Sequence, residues 1–484
     1  MTPSDKLTSN ARNASRNTAL LFAGTLTKML GSFLFVLLCA DRLGVEGFGQ
    51  YSIAIHYFEL FLSLSATAAG IMLTRDIARW PKRTAETMAA SFALCLALCL
   101  AAPVLMFAFA KIFHYTDATM TATLISCLAL PPAALSYVCE AVFVAKHRAE
   151  FVTKGTVIES LIRITLSVTL LLMGFGLFAL VAAFIVSRTV LFAVYCAGLR
   201  EIDALHLSWN YRSAKRFALR WRVFAAENWM ATLYQSLDVI ILSWIAGEYA
   251  AGLYSAACKV VRLGCVVAKS YTTAVFPIMS RLHSESKTAL TGIYMHSIRG
   301  MANIALPAIL VIFVMPDRII DLLFNDEYAA AATVLQILIW SLLIEFLNPF
   351  LSHVLFARKQ QHRSMQVAAI SLAVNLVATY LLVKAWGAAG AAAGTILGGL
   401  VATLCFIYFA IPLREIPLLI AHMSRALLAG LLLACLTWML TSAPLVLVVA
   451  TVCLAYLPAL LLVGAAKIDD FIFVRRTLLA RGAS

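Results

Sequence analysis

Stretches of 20 or more mostly apolar residues follow one another along almost the whole of this 484-residue chain. Fourteen can be drawn, at approximately 17–40, 50–74, 85–110, 121–145, 153–173, 177–198, 223–246, 251–278, 300–324, 329–356, 364–384, 388–411, 418–440 and 444–465. A helix rises 1.5 Å per residue, so each run is long enough to cross a hydrocarbon layer about 30 Å thick. Backbone groups in hydrocarbon must be satisfied internally, which leaves only helices or closed barrels. The short alternating strands of a barrel, about ten residues each, are absent from the pattern. Composition agrees: 62% of residues are hydrophobic and 13% charged, about half the charge usual in a water-soluble chain. The expected fold class is an all-α polytopic membrane protein.

Charge placement orients the runs. With the amino terminus in the cytoplasm, the even-numbered connections and both tails, 1–16 and 466–484, face inside. Of the 38 Lys and Arg residues, this frame puts 28 inside, 4 outside and 6 deep within spans. That asymmetry follows the positive-inside rule. The net charge of +14 then belongs to loops facing anionic lipid and needs no nucleic acid as partner. The densest basic stretch, SWNYRSAKRFALRWR from Ser208 to Arg222, mixes aromatic with cationic residues and reads as an interfacial helix between two halves. The Ser/Thr/Asn/Arg-rich start and the length of the first run predict no cleaved signal peptide. All 11 cysteines fall inside apolar runs without a CxxC pair, and no glycine-rich loop precedes a Lys-Ser/Thr. The chain is therefore expected to need no metal, cofactor or bound nucleotide.

One passage occurs twice. GVEGFGQYSIA begins at Gly44 and GEYAAGLYSAA at Gly247. An offset of 203 superposes Gly44 on Gly247, Gly49 on Gly252, Tyr51 on Tyr254 and Ser52 on Ser255. A second echo pairs VFVAKHR after the fourth run with VLFARKQ after the tenth, and a third sets Gly176 beside Gly387. The copies open the second and eighth runs, six apart, so both enter from the same side and the halves are parallel repeats. The expected organisation is a six-helix lobe at 17–205, a basic linker at 206–222, a second six-helix lobe at 223–412 and an additional helix pair at 413–465. Such a duplication predicts two bundles around a central cavity that opens alternately to the two sides. The repeated glycine turns would then form the outer rims.

The stretches RNTALLFAGTLTKML, LGVEGFGQYS, LTRDIAR, SLDVIILSWIAGEYAAGLYSAACKVVR and FNDEYAAAATVLQIL resemble the polysaccharide-biosynthesis flippases of the multidrug/oligosaccharidyl-lipid/polysaccharide exporter superfamily. The resemblance runs over approximately residues 15 to 412 and implies a substrate and a place. Undecaprenyl-pyrophosphate-linked oligosaccharides would be turned from the inner to the outer leaflet of a bacterial cytoplasmic membrane. A polysaccharide polymerase and chain-length regulator proteins are the partners it implies.

Twelve charged residues stand away from the ends of the runs, where each costs about 2.5–3.5 kcal/mol at the bilayer centre if it faces lipid. They are Lys28, Arg163, Arg188, Lys259, Arg262 and Lys269, with Glu59, Glu140, Glu159, Glu227, Asp238 and Glu345. At about 100° per residue, Ser255, Lys259, Arg262 and Lys269 share one face of the eighth run. Further polar faces carry Glu227, Tyr234 and Asp238 on the seventh run, Ser52, His56, Glu59 and Ser63 on the second, and Ser341, Glu345, Asn348 and Ser352 on the tenth. A cationic stripe suits a diphosphate head group, since Arg and Lys replace its lost hydration with charge-assisted hydrogen bonds. The candidate substrate-binding residues are Lys28, Arg188, Tyr234, Lys259, Arg262, Lys269 and Asn348. Glu159 and Arg163, one turn apart, read as an ion pair holding helices together. Glu59, Asp238 and Glu345 are candidates for coupling to protons or sodium ions, and the repeat superposes Glu59 on Arg262. A multidrug or cation antiporter would favour acidic or aromatic linings over a cationic stripe, whereas a lipid II flippase would share it. A membrane glycosyltransferase or polymerase would need an outer catalytic region, and the longest outer connection is about ten residues, so no enzyme is expected.

Overall fold

The computed structural model describes residues 3–202, 206–285, 287–358 and 360–465, and among them every regular element is helical. The helices are α1 (Pro3–Leu62), α2 (Ala68–Arg79), α3 (Thr84–Ile112), α4 (Asp117–Ser126), α5 (Leu130–Ala145), α6 (Ala149–Leu172), α7 (Leu177–Glu201) and α8 (Tyr211–Glu285). They continue as α9 (Lys287–Val314), α10 (Pro316–Leu323), α11 (Ala331–Leu338), α12 (Ser341–Ala357), α13 (Gln361–Ala410), α14 (Ile416–Met439) and α15 (Leu445–Leu462). Eleven helical stretches among the described residues are long and apolar enough to cross a membrane. Three of these contain one glycine with non-helical backbone: Gly44, Gly247 and Gly387.

The duplication is written into the backbone. Gly44 (φ 67°, ψ 179°) and Gly247 (φ 84°, ψ −179°) adopt the same conformation, one essentially restricted to glycine. The helix-ending turns recur as well. Lys146 N donates to Val142 O (3.0 Å) and Arg148 N to Phe143 O (2.8 Å). At an offset of 212, Arg358 N donates to Val354 O (3.1 Å) and Gln360 N to Leu355 O (2.9 Å). Each half breaks a span at the equivalent place, between α4 and α5 at Cys127–Ala129 and between α11 and α12 at residues 339–340. Proline sits inside α3 at Pro103 and inside α9 at Pro307. The offset thus grows from 204 to 212 along the halves, and the eight residues of α10 are the insertion responsible.

The described chain forms two compact units. One holds Gly24–Ser255 with Val383–Ala391, and the other holds Ala256–Leu382 with the helices that follow Ala392. In the first, α2, α3, α5 and α7 pack together, and the amino-terminal end of α8 is tied to α2 by a part-buried ion pair. Arg220, from the basic stretch, donates two bonds to Asp76 (3.1 and 2.6 Å), whose side chain is 2% exposed. In the second unit α14 lies along α9. Tyr456 Oη donates to Asn303 O (2.6 Å), Asn303 Nδ2 to Ala465 O (3.1 Å), and Arg318 of α10 to Ala443 O (2.6 Å). The additional pair α14–α15 is therefore fixed within the second unit to the middle of α9 and to α10.

Candidate functional site

The second unit brings two of the expected residues together. Arg262 on α8 and Glu345 on α12 are both exposed, and each lies within electrostatic reach of the other, with Cys265 beside them. The approach of the two helices explains how: a Cβ on Gly264 would lie 2.7 Å from Leu342 Cδ1, so glycine lets α8 press onto α12. Lys259, one turn before Arg262, is half-buried. Arg262 stands 15 residues beyond Gly247, roughly 22 Å along the helix. A guanidinium and a carboxylate exposed that far into an apolar span would be costly against lipid. Each is instead placed within electrostatic reach of an opposite charge.

The rest of the α12 stripe is spent on packing. Asn348 Nδ2 donates to Gly399 O (3.2 Å) and its Oδ1 accepts from Thr403 Oγ1 (2.8 Å), while Ser352 bonds Ser364 (2.9 Å). Both ties run to α13. Both ends of the Asn348 amide are thus bonded to α13 in this structure.

In the first unit Glu59 is exposed, at the place in its helix that Arg262 holds in the other copy. Its neighbours on the stripe are partnered. His56 Nδ1 lies 3.4 Å from Ser236 Oγ, and Thr232 Oγ1 donates to Ser63 Oγ (2.7 Å) at the start of a π-helical turn, Ser63–Thr67. Such π turns frequently mark functional positions in helices. The face of α8 that meets α1 is therefore Asn228, Thr232 and Ser236, four residues apart each time. Asp238 is buried and accepts from Tyr254 Oη (3.2 Å), a bond that spans the Gly247 break; Tyr234 is half-buried.

Arg188 belongs to a cluster inside the same unit. Its guanidinium lies 4.0 Å from Glu159 Oε1 and 5.0 Å over the Phe184 ring. Arg163 lies 3.9 Å from the same oxygen, so the Glu159–Arg163 pair forms with Arg188 as a third member. Tyr51 is within electrostatic reach of Arg163, Arg188 and Glu59. Lys28, Glu227 and Lys269 have side chains outside the described residues.

Two buried, multiply bonded acids are not singled out by the sequence. Glu248, 7% exposed, follows the Gly247 break and accepts from Gln50 Nε2 (2.8 Å), Thr116 Oγ1 (2.7 Å), Thr116 N (3.3 Å) and Thr119 Oγ1 (2.5 Å). Its signal was an acid immediately after a repeated glycine, beside a run end where charge is ordinary. The second is Asp76 in LTRDIAR, whose partner Arg220 lies 144 residues away.

The fold is shared with membrane transporters of known structure. A lipid II flippase MurJ in an inward closed conformation covers 94% of this chain and 100% of its own at 12% identity, with a TM-score of 0.78. An inward-facing multidrug resistance MATE family transporter of the MOP superfamily covers 81% and 95% at 15% identity, with a TM-score of 0.66. The polysaccharide biosynthesis protein family matches residues 40–333, and the chain belongs to it. The lipid II flippase MurJ family matches residues 235–461. Among curated relatives, the probable low-salt glycan biosynthesis flippase Agl15 of Haloferax volcanii is 24% identical over 177 residues, 36% of this chain and 38% of the relative. The capsular polysaccharide biosynthesis protein CapF of Staphylococcus aureus is 23% identical over 215 residues, 42% and 52%. The matched stretches thus span about a third to a half of these relatives' own length.

Proposed function

We propose that this protein is a flippase that moves undecaprenyl-pyrophosphate-linked oligosaccharide units from the cytoplasmic to the periplasmic leaflet of a bacterial inner membrane. The observation that carries the reading is the family match over residues 40–333. The names of Agl15 and CapF, one a glycan flippase and the other a capsular polysaccharide protein, point the same way. Both termini are cytoplasmic, and the three glycine-broken helices make two passes each, for fourteen in all. Arg262 and Lys259, with Lys28 and Lys269, receive the diphosphate as it leaves water. The path opens alternately to the two sides, and an ion gradient acting through Glu345, Glu59 or Asp238 resets it. A polymerase and chain-length regulators receive the exported units.

A lipid II flippase is the second reading, favoured by the match over residues 235–461 and the TM-score of 0.78. Deleting the gene separates the two. Under the first, surface polysaccharide is lost and lipid-linked repeat units accumulate while cell-wall synthesis continues. Lysis with a blocked cell wall and intact surface polysaccharide would overturn the first reading and favour the second.

A further inference from the structure

We propose that a basic pocket at one loop end of the first unit binds the phosphate of a lipid head group, apart from the α8–α12 site. The cavity is about 500 Å³, within the ~300–1,000 Å³ of ordinary ligand sites. Three separate turns build it: the α2–α3 connection, the α5–α6 connection and the segment after α7. Lys82, Lys146, His147 and His206 line it, and its lining includes no acidic residue. Its floor is apolar, with Ile77 and Ala145. Ser208 N donates to Ala85 O (3.3 Å) and holds the last segment beside the mouth. His147 is fixed in left-handed backbone (φ 58°) by the turn that ends α5.

The cations around this pocket divide by use. Arg79 stacks over Trp80 at 4.8 Å and Arg148 pairs with Glu150, so both are engaged. The ammonium groups of Lys82 and Lys146 make no hydrogen bond or ion pair with the described residues. The repeat sharpens the contrast. Arg358, the counterpart of Lys146 in the second unit, donates to Tyr294 Oη (2.7 Å) and stacks on its ring. One copy of the turn uses its cation for packing, and the other leaves an ammonium open in a cavity. Trp80, 42% exposed, and Trp209, 62% exposed, flank the pocket as interfacial aromatics do. An ammonium is a compact point charge that can donate to phosphate oxygens from many directions. These features describe a phosphate on a lipid at the membrane interface. Both an anionic phospholipid and a polyprenyl diphosphate supply that chemistry.

The test uses delipidated full-length protein in detergent, with lipid retention followed by native mass spectrometry. The probes are phosphatidylglycerol, a short-chain polyprenyl diphosphate and a neutral diacylglycerol. Wild type should retain at least one phosphate probe, and Lys82→Glu with Lys146→Glu should weaken retention roughly tenfold. Lys82→Arg with Lys146→Arg should restore it. Preference for the diphosphate would assign the site to substrate loading, and equal retention to bulk lipid. The control reversal Lys215→Glu with Arg216→Glu lies outside the lining and should have little effect. Equal loss in that control, or unchanged retention in the Lys82/Lys146 variant, would overturn the proposal. Both lysines are exposed, and Lys82→Gln with Lys146→Gln gives the same comparison should charge reversal impair folding.

Discussion

Gly49 and Gly252 interlock. A Cβ on Gly49 would lie 2.0 Å from Glu248 O and 3.0 Å from Gly252 N, and a Cβ on Gly252 would lie 2.1 Å from Val45 O. The obstacles are backbone atoms, which cannot turn aside as a side chain can. The two copies of the repeated motif thus meet within the first unit through the glycines that the repeat preserves. Phe48 and Ala251, one residue earlier in each copy, are 1% and 0% exposed.

The first prediction concerns this contact. Gly49→Ala or Gly252→Ala must push two helices apart, beyond the ~1–3 kcal/mol usual for overpacking. Glycan export should fall at least tenfold, with lowered thermal stability of the purified protein. Gly300→Ala, where a Cβ meets nothing within 4 Å, should be near neutral. Wild-type stability and export in both rim variants would remove the contact from the account.

Glu248 ties the same contact to its neighbours, accepting four hydrogen bonds from Gln50, Thr116 and Thr119. Glu248→Ala leaves those groups without their acceptor, at about 1–3 kcal/mol for each buried group unsatisfied. In a background without native cysteines, Phe48→Cys should then react with maleimide several-fold faster. A Phe48→Cys/Ala251→Cys pair should crosslink in the closed rim and block export until reduced. Export by the oxidised, crosslinked pair at the normal rate would show that the rim need not open.

Asp76 and Arg220 give a stability prediction. An exposed ion pair contributes about 0–1 kcal/mol, but Asp76 is 2% exposed and held by both arms of the fork. Arg220 is 41% exposed, so removing either partner should cost about 1–3 kcal/mol, between an exposed pair and a fully buried one. Arg220→Lys should recover part of it, because the ammonium lacks the planar fork that matches both carboxylate oxygens. A double-mutant cycle on thermal unfolding measures the coupling, and a value near zero would contradict it.

How much of this was legible in advance depended on whether the signal was local. Apolar runs fixed the class, because hydrocarbon thickness sets their length. Gly44 and Gly247 were legible as equivalent breaks, since only glycine fits their backbone. The jump in offset from 204 to 212 was not, because α10 is a short helix inside a connection. Helical periodicity places Glu345, Asn348 and Ser352 on one face of α12 but does not tell which part of that face meets α13, to which Asn348 is bonded. Nor does it show that Glu159, on another helix, stands 4.0 Å from the substrate-binding candidate Arg188. Asp76 and Arg220 are joined only by tertiary folding, and no periodicity connects positions so far apart.

Orientation is checked by cysteine accessibility. Single cysteines at Lys215 and Asp326 should label from opposite sides, Lys215 from the cytoplasm and Asp326 from the periplasm. Labelling of Lys215→Cys by an impermeant reagent in intact cells would reverse the topology.

The proximity of Arg262 and Glu345 is the most direct handle on transport. Proteoliposomes loaded with a polyprenyl-diphosphate-linked oligosaccharide report movement as the fraction of glycan that becomes accessible to an external glycosidase. Wild-type protein should raise that fraction well above empty vesicles. Arg262→Ala should abolish the rise at normal protein abundance, and Arg262→Lys should restore part of it. Glu345→Gln should retain exchange down the substrate's own gradient and lose stimulation by an imposed ion gradient. No movement above empty vesicles with folded wild-type protein, or undiminished movement with Arg262→Ala, would contradict the account.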